Sequence, residues 1–283
     1  MNAATEFIPL LPELQLVAVD PTKPGLEGKR MSYMQAGRDE DAPVLLLHGI
    51  GSNCCGWRYV MHGLQDRYRA IAWNAPGYYL TDNLAAETPL HTQYADALAA
   101  LMDALHIQRA HIVGSSFGSL IAASFASRHP DRVNRLVLSG SARGQKWLPA
   151  EERERRLAMR AASIRDGGMD LAEKRWANLL SSHPSETAAL LTRQVLAATH
   201  PRGMMQSART SDTTDVVEFA SGIGAKTLLM VGDEDKVNPP AISEAIRAVI
   251  PDAELVVLPG VGHLPKLEAP RKTIELLLRH FSA

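Results

Sequence analysis

Between residues 110 and 126 the chain runs Ala110-His111-Ile112-Val113, then Gly114-Ser115-Ser116-Phe117-Gly118, then Ser119-Leu120-Ile121-Ala122-Ala123-Ser124-Phe125-Ala126. A mainly apolar run, a glycine-flanked pair of serines and a small-residue helical run read as strand, sharp turn and helix. Glycines two positions either side of Ser116 let strand and helix crowd together. The serine is left at the apex in a strained conformation with its hydroxyl outward, a layout that suits a nucleophile. A βα turn of this kind belongs on a parallel strand, so the flanking sequence has to supply further βα units.

It does. Val44-Leu45-Leu46-Leu47 is apolar throughout, as expected of a central parallel strand covered on both faces, and leads into His48-Gly49-Ile50-Gly51-Ser52-Asn53. Residues 54–66 read as a helix, 70–73 as a strand, 91–105 as a helix and 133–138 as the strand after the turn. Upstream, 14–19 and 30–35 alternate loosely around Pro21, Pro24 and Gly25, predicting an antiparallel opening pair. From about 143 to 218 the strand signal gives way to charged, Ala-rich helical stretches. The βα rhythm returns with a strand at 227–231, a helix near 240–249, a strand at 254–258 and a helix over 265–281. The expected fold class is therefore α/β, a mostly parallel doubly wound sheet whose ligands bind at the carboxyl ends of the strands. Residues 1–142 and 219–283 would form the core, and 143–218 an inserted helical cap.

At 283 residues the chain can bury a sizeable core. Thirty Lys and Arg against 31 Asp and Glu, with no dense basic tract, point away from nucleic acid or an anionic membrane as partner. A neutral small-molecule substrate fits that balance. The two cysteines, Cys54 and Cys55, are adjacent and ill placed to cross-link distant elements, which suggests a reducing compartment. Residues 1–20 lack a basic start and are interrupted by Pro9, Pro12 and Glu13, so no secretory leader is expected. No apolar run approaches the roughly 20 residues that span a bilayer. A cytoplasmic protein is expected. Neither a metal-ligand cluster nor a dinucleotide fingerprint occurs, so no metal or cofactor is expected, and nothing in the pattern specifies an oligomeric state.

A serine hydroxyl is a poor nucleophile at neutral pH and needs a base, which in turn needs an orienting carboxylate. Of ten histidines, His263 and His280 follow the serine turn near strand ends. His280 falls in the terminal amphipathic helix, where a solvated surface residue is expected. His263 lies in Pro259-Gly260-Val261-Gly262-His263-Leu264-Pro265, directly after the last strand. For the acid, the loop Gly232-Asp233-Glu234-Asp235-Lys236 offers three carboxylates. Asp235 is preferred, although spacing separates it from Asp233 and Glu234 only weakly. An anionic intermediate needs donors already in place, and the backbone N–H groups of Ile50 and Phe117 suit that task. His48 reads as a structural residue.

Jointly these stretches resemble the α/β-hydrolase superfamily over nearly the whole chain. His48-Gly49 is similar to its oxyanion loop, Gly114 to Gly118 to its nucleophile elbow, Asp235 with Pro239 to its acid loop, and Gly262-His263 with Glu268 and Pro270 to its histidine loop. The resemblance implies a Ser116, Asp235, His263 triad. Two departures stand out: Tyr79 and Thr81 replace a glycine and a serine of the family's P-G-x-G-x-S-D run, and Asn74 stands where an aspartate is usual.

A serine nucleophile implies acyl-enzyme chemistry, which suits esters, lactones, thioesters and some activated carbon–carbon bonds. Hydrolases of ring-cleavage products, vinylogous 1,5-diketones, resemble this chain in size and in carrying a helical cap. They typically place tryptophan after the catalytic histidine, where this chain has Leu264. Hydrolysis of a mainly apolar ester or lactone is therefore expected first and carbon–carbon hydrolysis second. A ligand receptor on the same scaffold is the reading of another class. Candidate substrate contacts are Tyr79, Trp147, Trp176, Met204, Met205, Arg209 and Leu264, with Arg193 and Arg202 as further candidates for a carboxylate. His91 and Asp96 match an H-x4-D acyltransferase spacing, which arises easily within a helix.

Overall fold

The computed structural model describes residues 7–282. Its strands are β1 (Leu14–Ala18), β2 (Arg30–Ala36), β3 (Ala42–Leu47), β4 (Tyr68–Trp73), β5 (Ala110–Ser115), β6 (Val133–Ser139), β7 (Thr227–Gly232) and β8 (Glu254–Leu258). They form one sheet in the order β1-β2-β4-β3-β5-β6-β7-β8. The first two pairings, β1 with β2 and β2 with β4, are antiparallel, and all the rest are parallel.

The helices are α1 (Arg58–Leu64), α2 (His91–Ala104), α3 (Phe117–Arg128), α4 (Ala150–Ile164), α5 (Gly168–Arg175), α6 (Glu186–Ala197), α7 (Pro201–Thr213), α8 (Pro240–Arg247), α9 (Pro265–Glu268) and α10 (Pro270–Ser282). The period-2 geometry of a strand divides them into two layers. Leu45, Leu47, Ile71 and Ile112 face one core with Leu98 and Leu101 of α2 and Leu120 and Ile121 of α3. Val44, Leu46, Ala70 and Val113 face the other with Val60 and Met61 of α1 and Leu276 and Leu277 of α10. An uninterrupted apolar strand thus serves both layers.

Helices α4 to α7 all fall between β6 and β7 and carry their own small clusters. Ile164, Leu171, Leu196 and Met204 form one; Leu180, Ala188 and Leu191 join Leu264 and Leu267 of the histidine region in another.

Three local readings change. The helix expected over 265–281 breaks at Ala269, whose φ of −133° and ψ of 55° are non-helical, because Pro270 disfavours a helical residue before it. The helix expected from residue 54 starts as a 3-10 turn, Cys54–Trp57, capped by Asn53, whose Oδ1 accepts from the Cys55 N–H at 2.9 Å. His280 is buried rather than solvated: its Nε2 lies 3.2 Å from the Lys226 carbonyl, on the inward face of α10. Among the described residues no helix is long and apolar enough to cross a membrane. The first six residues of the stretch read for a leader lie outside the described residues.

Candidate active site

Close packing dictates the serine turn. A Cβ on Gly114 would lie 2.3 Å from the Gly118 carbonyl oxygen, and one on Gly118 would lie 2.2 Å from that of Leu47. Either methyl group would separate α3 from the sheet. Ser116 adopts φ 54° and ψ −122°, a conformation that L-residues rarely hold, and its N–H is fixed by a 2.9 Å bond to the Ser139 carbonyl. Three strand ends therefore converge there: β5 carries the serine, β6 holds its amide, and the loop after β3 packs against it through Gly49.

At the ends of β7 and β8 the acid and histidine loops meet. His263 Nδ1 is 2.8 Å from Asp235 Oδ2, and both residues are buried. Asp235 Oδ1 accepts the N–H groups of Val237 and Asn238, each at 2.8 Å, so one oxygen anchors the loop while the other faces the imidazole. The neighbouring acids are spent elsewhere: Asp233 accepts from Gly260 N–H at 2.7 Å and Glu234 from Ser182 N–H at 2.6 Å. Sequence spacing separated these three only weakly; of the three, Asp235 is the one hydrogen-bonded to His263. Gly140 is a partner that the sequence reading missed. Its φ is +52°, and a Cβ there would lie 3.2 Å from His263 Nδ1.

Ser116, His263, Ile50 and Phe117 all line one cavity of about 580 Å³. Among the described residues neither the Ile50 nor the Phe117 backbone N–H has a protein acceptor. His48 is a structural residue. Its Nδ1 donates to the Gly49 carbonyl at 2.8 Å, its Nε2 accepts from Ala75 N–H at 3.0 Å, and burial pushes its pKa down to about 4. Asn74 pins the same region: its Oδ1 accepts from Cys54 N–H at 2.8 Å and its Nδ2 donates to Ser32 Oγ at 2.9 Å.

Of the candidate substrate contacts, Trp147, Met204 and Leu264 line the cavity. Tyr79 does not; it lines a small separate pocket with Cys55 and Arg58, at φ 38°, where a glycine would be unstrained. Trp176 lies beneath Arg193, 4.4 Å from its guanidinium carbon, and Met205 packs on the small α4–α7 cluster. Arg209 pairs with Glu87 at 2.9 Å and Arg202 with Glu27, so neither reaches the cavity. His91 stacks on Phe219 with ring centroids 4.7 Å apart, and Asp96 pairs with Arg128, which occupies both residues of the H-x4-D match.

The cavity's charge is what the sequence reading missed. Arg143, Arg155, Arg156, Arg160, Arg175, Lys236 and Lys266 line it, and among the described residues no Asp or Glu does. Arg143 is neutralised by Asp215 at 2.7 Å, and Arg155 and Arg156 share Glu152 at 2.7 and 2.6 Å. Among the described residues the other four cations have no carboxylate at ion-pairing distance. Arg160 Nη1 is buried without any hydrogen-bond partner; burial, then the nearby Arg175, push its pKa down to about 10, which leaves it cationic at neutral pH. The spacing of Arg155, Arg156, Met159, Arg160 and Ser163 on α4 was the available signal, since one helical face carries them all into the cavity.

Comparison with known proteins places this site in a family. A family model described as the alpha/beta hydrolase fold matches residues 42–270. A 2-hydroxy-6-oxononadienedioate/2-hydroxy-6-oxononatrienedioate hydrolase of Comamonas testosteroni is 28% identical over 86% of this chain and 88% of its own. A 2-hydroxy-6-oxo-6-phenylhexa-2,4-dienoate hydrolase of Burkholderia cepacia is also 28% identical, over the same shares. Among solved structures, a hydrolase from Pseudomonas aeruginosa PA01 superposes with a TM-score of 0.83 at 25% identity, covering 100% of both chains. The enol-lactonase of Burkholderia xenovorans LB400 shares the fold, with a TM-score of 0.81 at 22% identity over 92% of this chain and 99% of its own. With the matched segment running from β3 into the start of α10, through every loop that lines the serine cavity, the chain belongs to the α/β-hydrolase family.

Proposed function

We propose that this chain is a serine hydrolase of carboxylate-bearing substrates, and that it cleaves a carbon–carbon bond in a 2-hydroxy-6-oxo-dienoate. The observation that carries this reading is the cavity over Ser116, lined among the described residues by seven cationic side chains and no carboxylate. A buried guanidinium nitrogen without a partner asks for an anionic acceptor. The mainly apolar, neutral ester expected from sequence leaves four of those cations, Arg160, Arg175, Lys236 and Lys266, without a counter-charge. The curated relatives hydrolyse dienoates and dienedioates, which carry one and two carboxylates, and this favours the same class here.

In this mechanism Ser116 Oγ attacks the 6-oxo carbon while His263 takes its proton. Asp235 holds the imidazole and stabilises its cation. The N–H groups of Ile50 and Phe117 receive the oxyanion. The substrate reacts as its 2-oxo-3-enoate tautomer, the hydroxyl proton having moved to C5; when the C5–C6 bond breaks, its electron pair delocalises through the C3–C4 double bond onto the 2-oxo oxygen as a dienolate, which takes the proton back from His263. Water, activated by the freed His263, hydrolyses the acyl-Ser116 ester. A carbon leaving group needs that delocalised charge stabilised, and a cationic cavity does so, whereas an ester's oxygen leaves without such help. The helices within 143–218 act as a cap over the core of 1–142 and 219–283. Ester or lactone hydrolysis is the second reading, favoured by Leu264 in place of the tryptophan usual in ring-cleavage hydrolases.

Kinetics with 2-hydroxy-6-oxo-6-phenylhexa-2,4-dienoate and 4-nitrophenyl butyrate test the order. The expected result is a higher kcat/KM for the dienoate, abolished by Ser116→Ala and lowered about 10-fold or more by Arg160→Leu. Faster ester turnover would reverse it, and ligand binding without turnover of either would make the protein a receptor.

A further inference from the structure

Lys266 is 2% exposed, yet it lines the serine cavity from the sheet side, three residues beyond His263. Its Nζ donates to Ser115 Oγ at 2.7 Å, on the residue directly before the nucleophile, and lies 4.7 Å from the centre of the Trp57 ring. Among the described residues no carboxylate lies at ion-pairing distance, and the nearby titratable group, His48, is held neutral chiefly by its burial.

Burying an ammonium group is strongly unfavourable unless a counter-charge offsets it. A neutral serine oxygen and one indole face offset only part of that. Packing alone would be served better by an apolar residue, as Leu264 and Leu267 on either side show by joining an apolar cluster. A cation held without its anion, on the wall of a substrate cavity, is half of an ion pair.

We infer that Lys266 and Ser115 form an anion subsite that takes the carboxylate of the substrate's dienoate half and makes Lys266 a determinant of specificity for acidic substrates. This rests on the dienoate reading above. Arg160 and Arg175 approach the cavity from α4 and α5, Lys266 from beside the nucleophile. The substrate's charge is therefore held on the sheet side, where its position relative to Ser116 is fixed by β5 rather than by the helical layer.

Equilibrium binding on the Ser116→Ala protein, which cannot form the acyl-enzyme, separates the two readings. The ligands are 2-hydroxy-6-oxo-6-phenylhexa-2,4-dienoate and its methyl ester, measured with the parent and after adding Lys266→Met or Lys266→Gln. Folding is checked by near-ultraviolet circular dichroism, and the Gln variant keeps a donor for Ser115. The expected result is a Kd for the acid raised about 30-fold or more in both variants, with the methyl ester changed less than about 3-fold. Equal weakening of acid and ester, or no weakening of either, would overturn the lysine subsite alone. Failure of the parent to bind the acid at all would overturn the dienoate reading and the subsite with it.

Discussion

Replacing Lys266 by methionine changes how stability depends on pH. Burial drives the Lys266 ammonium down from its ordinary 10.5 to about 7, so the folded protein releases a proton that the unfolded chain still holds. Below pH 7 both states are charged and the fold carries the full cost of a buried cation. Between 7 and 10.5 the unfolded state binds more protons, so the wild type gains stability as pH rises, by up to about 1.4 kcal/mol per unit. Allowing for half-protonation near neutrality, the gain between pH 7 and pH 9 is about 2 kcal/mol. Methionine has no charge to lose. The variant is therefore the more stable protein at pH 6, and its lead shrinks by at least about 2 kcal/mol by pH 9. Urea unfolding of both proteins at pH 6, 7, 8 and 9 measures the difference. His48 stays neutral throughout, its pKa held near 4 by burial. The Cys55 thiol, held below its ordinary value chiefly by its hydrogen bond from Cys54, titrates equally in both proteins and cancels. A difference that stayed constant from pH 6 to 9 would mean that Lys266 keeps its charge because the fold supplies a counter-ion, and the reason to seek one in the substrate would be gone.

Ser116→Gly should be more stable than Ser116→Ala by about 1 kcal/mol in urea unfolding, because φ 54° strains any residue with a Cβ. Asp235→Asn should fold normally, since an amide oxygen can still accept from Val237 and Asn238. Its kcat should nevertheless fall about 1,000-fold or more, because the amide's N–H faces His263 and holds the wrong tautomer.

The sheet was legible because its signals are local. A glycine-flanked serine after an apolar strand, and a histidine and an acid just past later strands, need no knowledge of distant packing. Charge was harder to read. Arg155, Arg156 and Arg160 lie in a helix rich in charges, which reads as a solvated face, and only the three-dimensional fold shows that this face borders a cavity. Lys266 sits between Pro265 and Leu267 in what reads as the opening turn of a surface helix; only the approach of Trp57 and Gly56, some 200 residues earlier, buries it. Tyr79 is the converse case. Its neighbours in sequence suggested a pocket residue, but its turn carries it to a different opening, and Thr81 supplies the local bonds by accepting from Ser32 N–H and donating to the Asn74 carbonyl, each at 3.0 Å.

The segment between α5 and α6 is stitched to both loops beneath it. The His263 N–H donates to the Leu179 carbonyl at 3.0 Å, Glu268 accepts from Ser181 and Gly262 N–H at 2.7 and 2.9 Å, and Glu234 accepts from Ser182. Lifting the helical layer at this margin would break the backbone bond of the histidine itself. That margin is a fixed hem, and α4 brings Arg155, Arg156 and the exposed Met159 to the same cavity. An incoming acid would meet the partly exposed guanidinium groups of Arg155 and Arg156 as well as the buried ammonium of Lys266, an attraction spread over exposed and buried walls while His263 and Asp235 stay in register.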